Sequence, residues 1–159
     1  MKDDLTIKEG ITEEQIEELL YQSKSDPHIH ENTNDLVRFA SRAHWDQWVK
    51  KGRRFFVLTN SQDNLLGVIW ITKKKMPDEV DERYRSLFDM TFAIRLYKSA
   101  RGKKLSYTFM EEVFKRADLS KVWLTVLKTN YIAKALYEKF GFKTIFSNDK
   151  ICVMIYERS

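Results

Sequence analysis

Apolar and polar residues alternate along the chain in helical and strand rhythms that outline its elements. Residues 5–7, Leu-Thr-Ile, read as a short opening strand. Thr12-Glu13-Glu14-Gln15 has the form of a capping box, in which the Thr12 hydroxyl accepts from the Gln15 amide and Gln15 reaches back. Ile11 and Ile16 stand at the staple positions around that cap, and Ile16, Leu19 and Leu20 supply an apolar stripe, which predicts a helix over 12–23. Residues 25–34 read as a polar loop with Asp26-Pro27 as its breaker. Leu36, Phe39, Ala40, Ala43 and Trp48 keep helical spacing and Gly52 lies just beyond, so one helix is predicted over 34–50.

Two strands follow at 54–59 and 65–72, joined by a polar connection that suits a hairpin. Lys73-Lys74-Lys75-Met76-Pro77 breaks the order, and the charged stretch 79–85 reads as loop or a short helical turn. Residues 87–96, apolar and β-branched, predict the central strand, and a loop at 98–102 leads into a helix over 104–117. Residues 122–127 predict another buried strand. Asn130 then caps a helix whose Ala133, Leu136, Tyr137 and Phe140 fall on one face, with Gly141 as its left-handed C-terminal residue. Residues 143–146 and 150–156 close the chain as a hairpin. The expected order is β-α-α-β-β-β-α-β-α-β-β, an α/β chain with a mixed sheet.

Composition narrows the class. At 159 residues with 43% hydrophobic and 13% aromatic content, the chain suits a single domain over 1–159 with one core. Lys2, Asp3, Asp4, Lys8 and Glu9 leave no apolar leader, and no run of apolar residues is long enough to span a bilayer. Cys152 is the sole cysteine, so no internal disulfide forms, which fits a reducing cytoplasm; its apolar setting reads as a core position in a strand. The net charge of +5 favours polyanions in general, without choosing among nucleic acid, acidic membrane and a phosphorylated coenzyme.

Two β-loop-α units hold the candidate chemistry. In the first, Arg101-Gly102-Lys103-Lys104-Leu105-Ser106 opens a helix after the central strand. The unpaired amides and partial positive charge of a helix start can hold a pyrophosphate. An ordinary solvated basic turn has the same composition. In the second, Tyr137 on the apolar face reads first as a core residue. Its phenol, with an ordinary pKa of about 10, is alternatively matched to protonate a thiolate leaving group. Asn130 is equally at home as a plain cap.

Together the two units resemble the GNAT superfamily of N-acetyltransferases. The later motif is complete in Asn130, Ala133, Tyr137, Gly141 and Phe142, and the element order resembles that fold along nearly the whole chain. In the earlier motif Arg101 and Gly102 match, but Lys104 stands where the family usually has Gly, and Ser106 replaces a last Gly or Ala. The resemblance implies a central mixed, mostly antiparallel sheet flanked by helices, and acetyl-CoA as acyl donor with no metal. It places the pyrophosphate on the amides of Gly102, Lys103, Lys104, Leu105 and Ser106 beside Arg101. The pantetheine arm would pair with backbone near Ile94, Arg95 and Leu96. Asn130 and Ala133 would serve cofactor binding or orientation, and Tyr137 would protonate the thiolate after direct attack by an amine. Lys104 either crowds the diphosphate with its Cβ or pairs with it through its ammonium.

The general base is left open among Asp89, Glu79, Glu82, His44 and a water chain; the resemblance favours Asp89, near the start of the central strand, since acids on that strand in such proteins often border the acceptor site. His44, Trp45 and Trp48 read as core or as lining of an acceptor groove. His28-Ile29-His30 lacks a second set of ligands and reads as polar loop rather than a metal site. The basic runs 50–54 and 73–75 read as solvated surface, with no recognised nucleic-acid motif beside them. An N-acetyltransferase acting on a small-molecule or protein amine is therefore expected, located in the cytoplasm, without membrane partners and compatible with a homodimer. A noncatalytic acyl-CoA-binding regulatory domain and a basic nucleic-acid-binding protein are the rival readings.

Overall fold

A computed structural model describes residues 4–158. Lys2 and Asp3, on which the reading of the leader partly rests, lie outside them. The chain opens with strand β1 (Thr6–Glu9) and helix α1 (Glu13–Ser25). The capping box at Thr12 forms as expected: Gln15 N donates to Thr12 Oγ1 at 3.2 Å and Thr12 N donates to Gln15 Oε1 at 2.9 Å.

The next stretch departs from expectation. Residues 25–34 are not a loop but contain helix α2 (Pro27–Asn32). Asp26 is its N-cap, accepting from His28 N at 3.0 Å, and Pro27 fills the first turn, where a missing N–H costs nothing. The predicted helix over 34–50 is two helices, α3 (Asp35–Arg38) and α4 (Arg42–Val49). The first run ends at Arg38 with Phe39 as its C-cap, and Ser41 caps the second, accepting from His44 N at 3.3 Å. Phe39 and Trp45, on either side of the break, are both buried, so the apolar rhythm runs through a gap in the backbone ladder.

Strands β2 (Arg54–Thr59) and β3 (Leu65–Lys73), the single turn α5 (Glu82–Arg85) and strand β4 (Met90–Leu96) follow. The central strand thus starts at Met90 rather than Leu87, which is exposed, while Phe88 is buried ahead of it. A 3-10 turn (Lys98–Ala100), helix α6 (Leu105–Arg116), strand β5 (Lys121–Leu127), helix α7 (Tyr131–Phe140) and strands β6 (Lys143–Ser147) and β7 (Ile151–Glu157) complete the chain. The strands hydrogen-bond as one mixed sheet of seven, in the order β1-β2-β3-β4-β5-β7-β6. β1–β2, β5–β7 and β6–β7 run antiparallel. β4 and β5 run parallel, with Thr91 opposite Trp123, as a crossover through α6 requires. All seven expected strands are present, and the helices flank them as expected.

The chain divides into two compact units, and β3 and β4 each contribute to both. One comprises residues up to Trp70 together with Ile94–Leu105. Leu19, Phe39, Trp45, Phe56, Val68 and Ile69 are buried in it. The other comprises Ile71–Ala93 and the residues from Ser106 onward. Met76, Val80, Phe88, Trp123, Val153 and Ile155 form a buried cluster there, and Cys152 is buried on β7 as expected. Among the described residues no helix is long and apolar enough to cross a membrane.

Candidate active site

In the first unit, the stretch after β4 takes a shape that the residue types only half favour. Gly102 has φ +80°, which a glycine adopts freely, and Lys104 has φ +58°, which a residue with a Cβ adopts at a cost of about 1–2 kcal/mol. The glycine missing from the sequence motif is therefore missing at a left-handed position. Two left-handed residues in alternation bend the chain so that α6 begins immediately, at Leu105. Lys103 and Lys104 are exposed beside that helix start.

Arg101 is not a free cation there. Its Nη2 pairs with the buried carboxylate of Asp26, the α2 cap, and its buried Nη1 has no hydrogen-bond partner among the described residues. One aspartate thus caps a helix and anchors the residue before Gly102. Arg95, named for its backbone, is likewise held through its side chain. Its Nε and Nη2 donate to the two oxygens of Asp35 at 2.6 and 3.1 Å, a bidentate pair around a carboxylate with no solvent exposure. Ile94 and Leu96, on either side, are half-buried. Next along the chain, Tyr97 is fully buried, its hydroxyl without a hydrogen-bond partner among the described residues, and burial followed by the charge of Asp35 pushes its pKa far above the usual phenol value.

The second unit positions the later motif. Asn130 Oδ1 accepts from Ala133 N at 3.3 Å, so both of these residues are engaged in starting α7. At the other end Gly141, with φ +123°, donates to the Tyr137 and Glu138 carbonyls, and Phe142 N donates to Tyr137 O at 2.9 Å. A Cβ on Gly141 would stand 3.3 Å from the Tyr156 ring, so position 141 demands glycine twice over. Phe142, delivered into the core by this turn, stacks on Phe92 of β4 with centroids 5.9 Å apart. The half-buried Tyr137 ring packs edge-on against Phe92 at 6.0 Å and Phe142 at 5.8 Å. The Gly-Phe pair of the motif therefore fixes the Tyr ring through packing. Phe92 escaped the sequence reading, since nothing in a run of strand residues marks one as a support.

The candidate bases are all on the surface. Asp89 precedes β4, with its carboxylate exposed and 3.7 Å from Lys73 Nζ, while its carbonyl accepts from Lys74 N at 2.8 Å. Glu79 and Glu82 are exposed. His44 is exposed with Nδ1 2.7 Å from Ser41 Oγ. His30 bonds the Ser23 carbonyl at 3.0 Å, and among the described residues no group of three His, Cys, Asp or Glu is arranged to hold a metal.

The basic runs are partly built into the structure. Arg54 forms a forked pair with Glu9, Nε to Oε2 at 2.8 Å, and Arg53 lies over the Trp48 ring with Cζ 4.0 Å from its centroid. Lys74 O accepts from Trp123 Nε1 at 3.0 Å. Trp48 and the buried Trp45 belong to an aromatic cluster with Phe39, Phe55 and Trp70.

Comparison with known proteins adds an independent line. Residues 14–142 match the acetyltransferase (GNAT) family. A spermidine N-acetyltransferase from Vibrio cholerae, solved with CoA and spermine, superposes with a TM-score of 0.70 at 19% identity, covering 97% of this chain and 95% of that one. A dodecameric form of spermidine N-acetyltransferase from Vibrio cholerae gives a TM-score of 0.63 at 17% identity over 97% and 94% of the two chains. The protein smu.2055 from Streptococcus mutans UA159 gives 0.70 at 20% identity over 96% and 98%. No curated protein matches the chain.

Proposed function

The chain belongs to the acetyltransferase (GNAT) family, and from that we infer that it passes an acetyl group from acetyl-CoA directly to a primary amine on a small molecule or a protein. The family match covers residues of both compact units, which supports reading 1–159 as one acetyltransferase domain. The observation that carries the reading is the backbone of 101–106. Left-handed residues at 102 and 104 lead straight into α6, which suits amides held ready for a pyrophosphate.

In this reading the amides of Gly102 to Ser106 take the diphosphate, and the backbone of Ile94, Arg95 and Leu96 takes the pantetheine arm as an added strand. Arg101 acts through its anchor on Asp26, stiffening the approach to the loop rather than offering a free charge. Asn130 and Ala133 act by starting α7 and so placing Tyr137. The neutral amine nitrogen bonds to the thioester carbon, a backbone N–H polarises the carbonyl oxygen, and the C–S bond breaks on collapse. Tyr137 gives its phenolic proton to the departing sulfur. The proton lost from the amine passes to the exposed carboxylate of Asp89 or to water, and no covalent enzyme intermediate forms. The spermidine N-acetyltransferases of like fold support an amine acceptor, and the dodecamer among them supports self-association, for which a homodimer is the form proposed here. A cytoplasmic site of action fits the lone cysteine.

Calorimetry with coenzyme A and acetyl-CoA, followed by thiol release with a panel of amines, tests this. Saturable binding with turnover of at least one amine is expected. Binding with no acceptor ever turned over would leave a noncatalytic acyl-CoA-binding domain. Absence of binding, with retention of DNA or RNA at physiological salt, would turn the assignment to a nucleic-acid-binding protein.

A further inference from the structure

One cluster in the first unit holds more arginines than acids paired with them among the described residues. Arg38 of α3, Arg53 ahead of β2 and Arg95 of β4 are separated in sequence, yet their guanidinium groups surround one pair of tryptophans. Trp48 and Trp70 meet edge to face at 5.0 Å. Arg53 lies 4.0 Å from the Trp48 centroid and Arg95 4.8 Å from that of Trp70. Arg38 stands 5.9 Å from the first ring and 5.8 Å from the second. The acid paired with this group is Asp35, which bonds Arg95 through both oxygens and lies 3.3 Å from Arg38. Among the described residues Arg53 has no such acid. Its Nη1 donates to the Trp48 carbonyl at 2.5 Å, and its buried Nε has no hydrogen-bond partner among the described residues.

Arg38 and Arg95 share the one carboxylate of Asp35, and Arg53 adds a third cation beside the same rings, so the three repel one another at a partly buried place. Burial, and then the charge of Arg38, lower the pKa of Arg53 below the usual guanidinium value. Burial also lowers that of Arg38, which Asp35 counteracts and Arg95 reinforces. The aromatic faces soften this repulsion but do not remove it. An anion would. Arg38 keeps 30% of its side-chain surface open to solvent, so a small anion has access to the cluster. Guanidinium forks match a planar carboxylate in shape as well as in charge.

We propose that Arg38 and Arg53, backed by the Asp35–Arg95 pair on the faces of Trp48 and Trp70, recognise a carboxylate on the acceptor amine. The acceptor is then an amino acid or a related amine bearing an acid, and not a polyamine, whose added positive charges this cluster repels. This deepens the acetyltransferase reading and rests on it for the acceptor's identity. Arg95 lies within Ile94–Leu96, the stretch proposed to hold the pantetheine arm, so the same strand would serve donor and acceptor.

The test uses glycine, β-alanine and glutamate as acceptors, each beside its carboxamide, with spermidine as the polyamine. At least one acid is expected to exceed its amide in kcat/KM by about 10-fold or more, the range of a charge-assisted contact. R38A and R53A should bring that ratio towards unity, mainly through KM, with coenzyme A affinity retained. If R53A fails to fold, R53Q keeps the stem on Trp48 and removes the charge, and the same loss of ratio is expected. Spermidine as the preferred acceptor, or equal losses for acid and amide, would overturn the proposal. So would a fall in affinity for coenzyme A, but not for 3′-dephospho-coenzyme A, in R53A, since the anion would then be the coenzyme's phosphate.

A second readout does not need turnover. Titration with the N-acetyl derivative of each acid should change tryptophan fluorescence saturably, and the N-acetyl amides should do so about 10-fold more weakly or not at all. Equal responses remove the anion site while leaving acetyl transfer intact. Acid binding without any acetyl-CoA binding removes the acetyltransferase reading and leaves the anion site standing.

Discussion

Lys104 carries a left-handed backbone with an ordinary side chain, and its exposure leaves the ammonium in water. Glycine at that place relieves about 1 kcal/mol of steric cost, partly offset by the greater freedom glycine has when unfolded. Lys104→Gly should therefore hold or slightly raise stability in urea denaturation, and calorimetry should show coenzyme A bound as tightly or more tightly. A marked loss of affinity would mean that the ammonium pairs with phosphate. Tyr137 allows a cleaner separation of packing from chemistry. Its ring is held by Phe92 and Phe142, contacts that a phenylalanine keeps. Tyr137→Phe should lower turnover at least about 10-fold, since general acid catalysis contributes roughly 10²–10⁴, while coenzyme A affinity stays level. Unchanged turnover would remove the hydroxyl from the reaction.

Helix ends do much of the positioning. α2 begins because Asp26 caps it and Pro27 tolerates its first turn, and the same Asp26 then holds Arg101. α7 ends because Gly141 turns left-handed under the Tyr156 ring, and that turn carries Phe142 beneath Tyr137. Gly141→Ala combines a strained φ with a 3.3 Å contact, and should cost about 1–3 kcal/mol of stability in chemical denaturation. Turnover should fall as well, because the same turn delivers one of the two rings that hold Tyr137. Full stability in this variant would show that the turn can relax without the glycine.

For the whole molecule, a ligand that binds only the folded chain raises its stability by mass action. At a concentration of 100 Kd, coenzyme A should add about 2.7 kcal/mol. For a chain of this length that shifts the melting temperature by about 5–10 °C, which differential scanning fluorimetry would record. A melting curve indifferent to saturating coenzyme A would count against the family function, whatever the fold. Surface ion pairs such as Arg42 with Glu13 are exposed and give little that salt or mutation would reveal.

Local chemistry was legible in the residues themselves. The capping box at Thr12, the seven strand segments and the Asn130 to Phe142 motif depend on neighbours within a few positions, and the sequence states these directly. Even the break at Ser41 and the cap at Asp26 were written there, but each competed with a stronger apolar or proline signal. What only the tertiary structure decided are pairings across distance: Asp26 with Arg101, Asp35 with Arg95, Phe92 with Tyr137, and three arginines around Trp48 and Trp70. A buried charge must find a partner somewhere, yet which partner it finds depends on how strands and helices are laid together, and no local rhythm of residues encodes that choice.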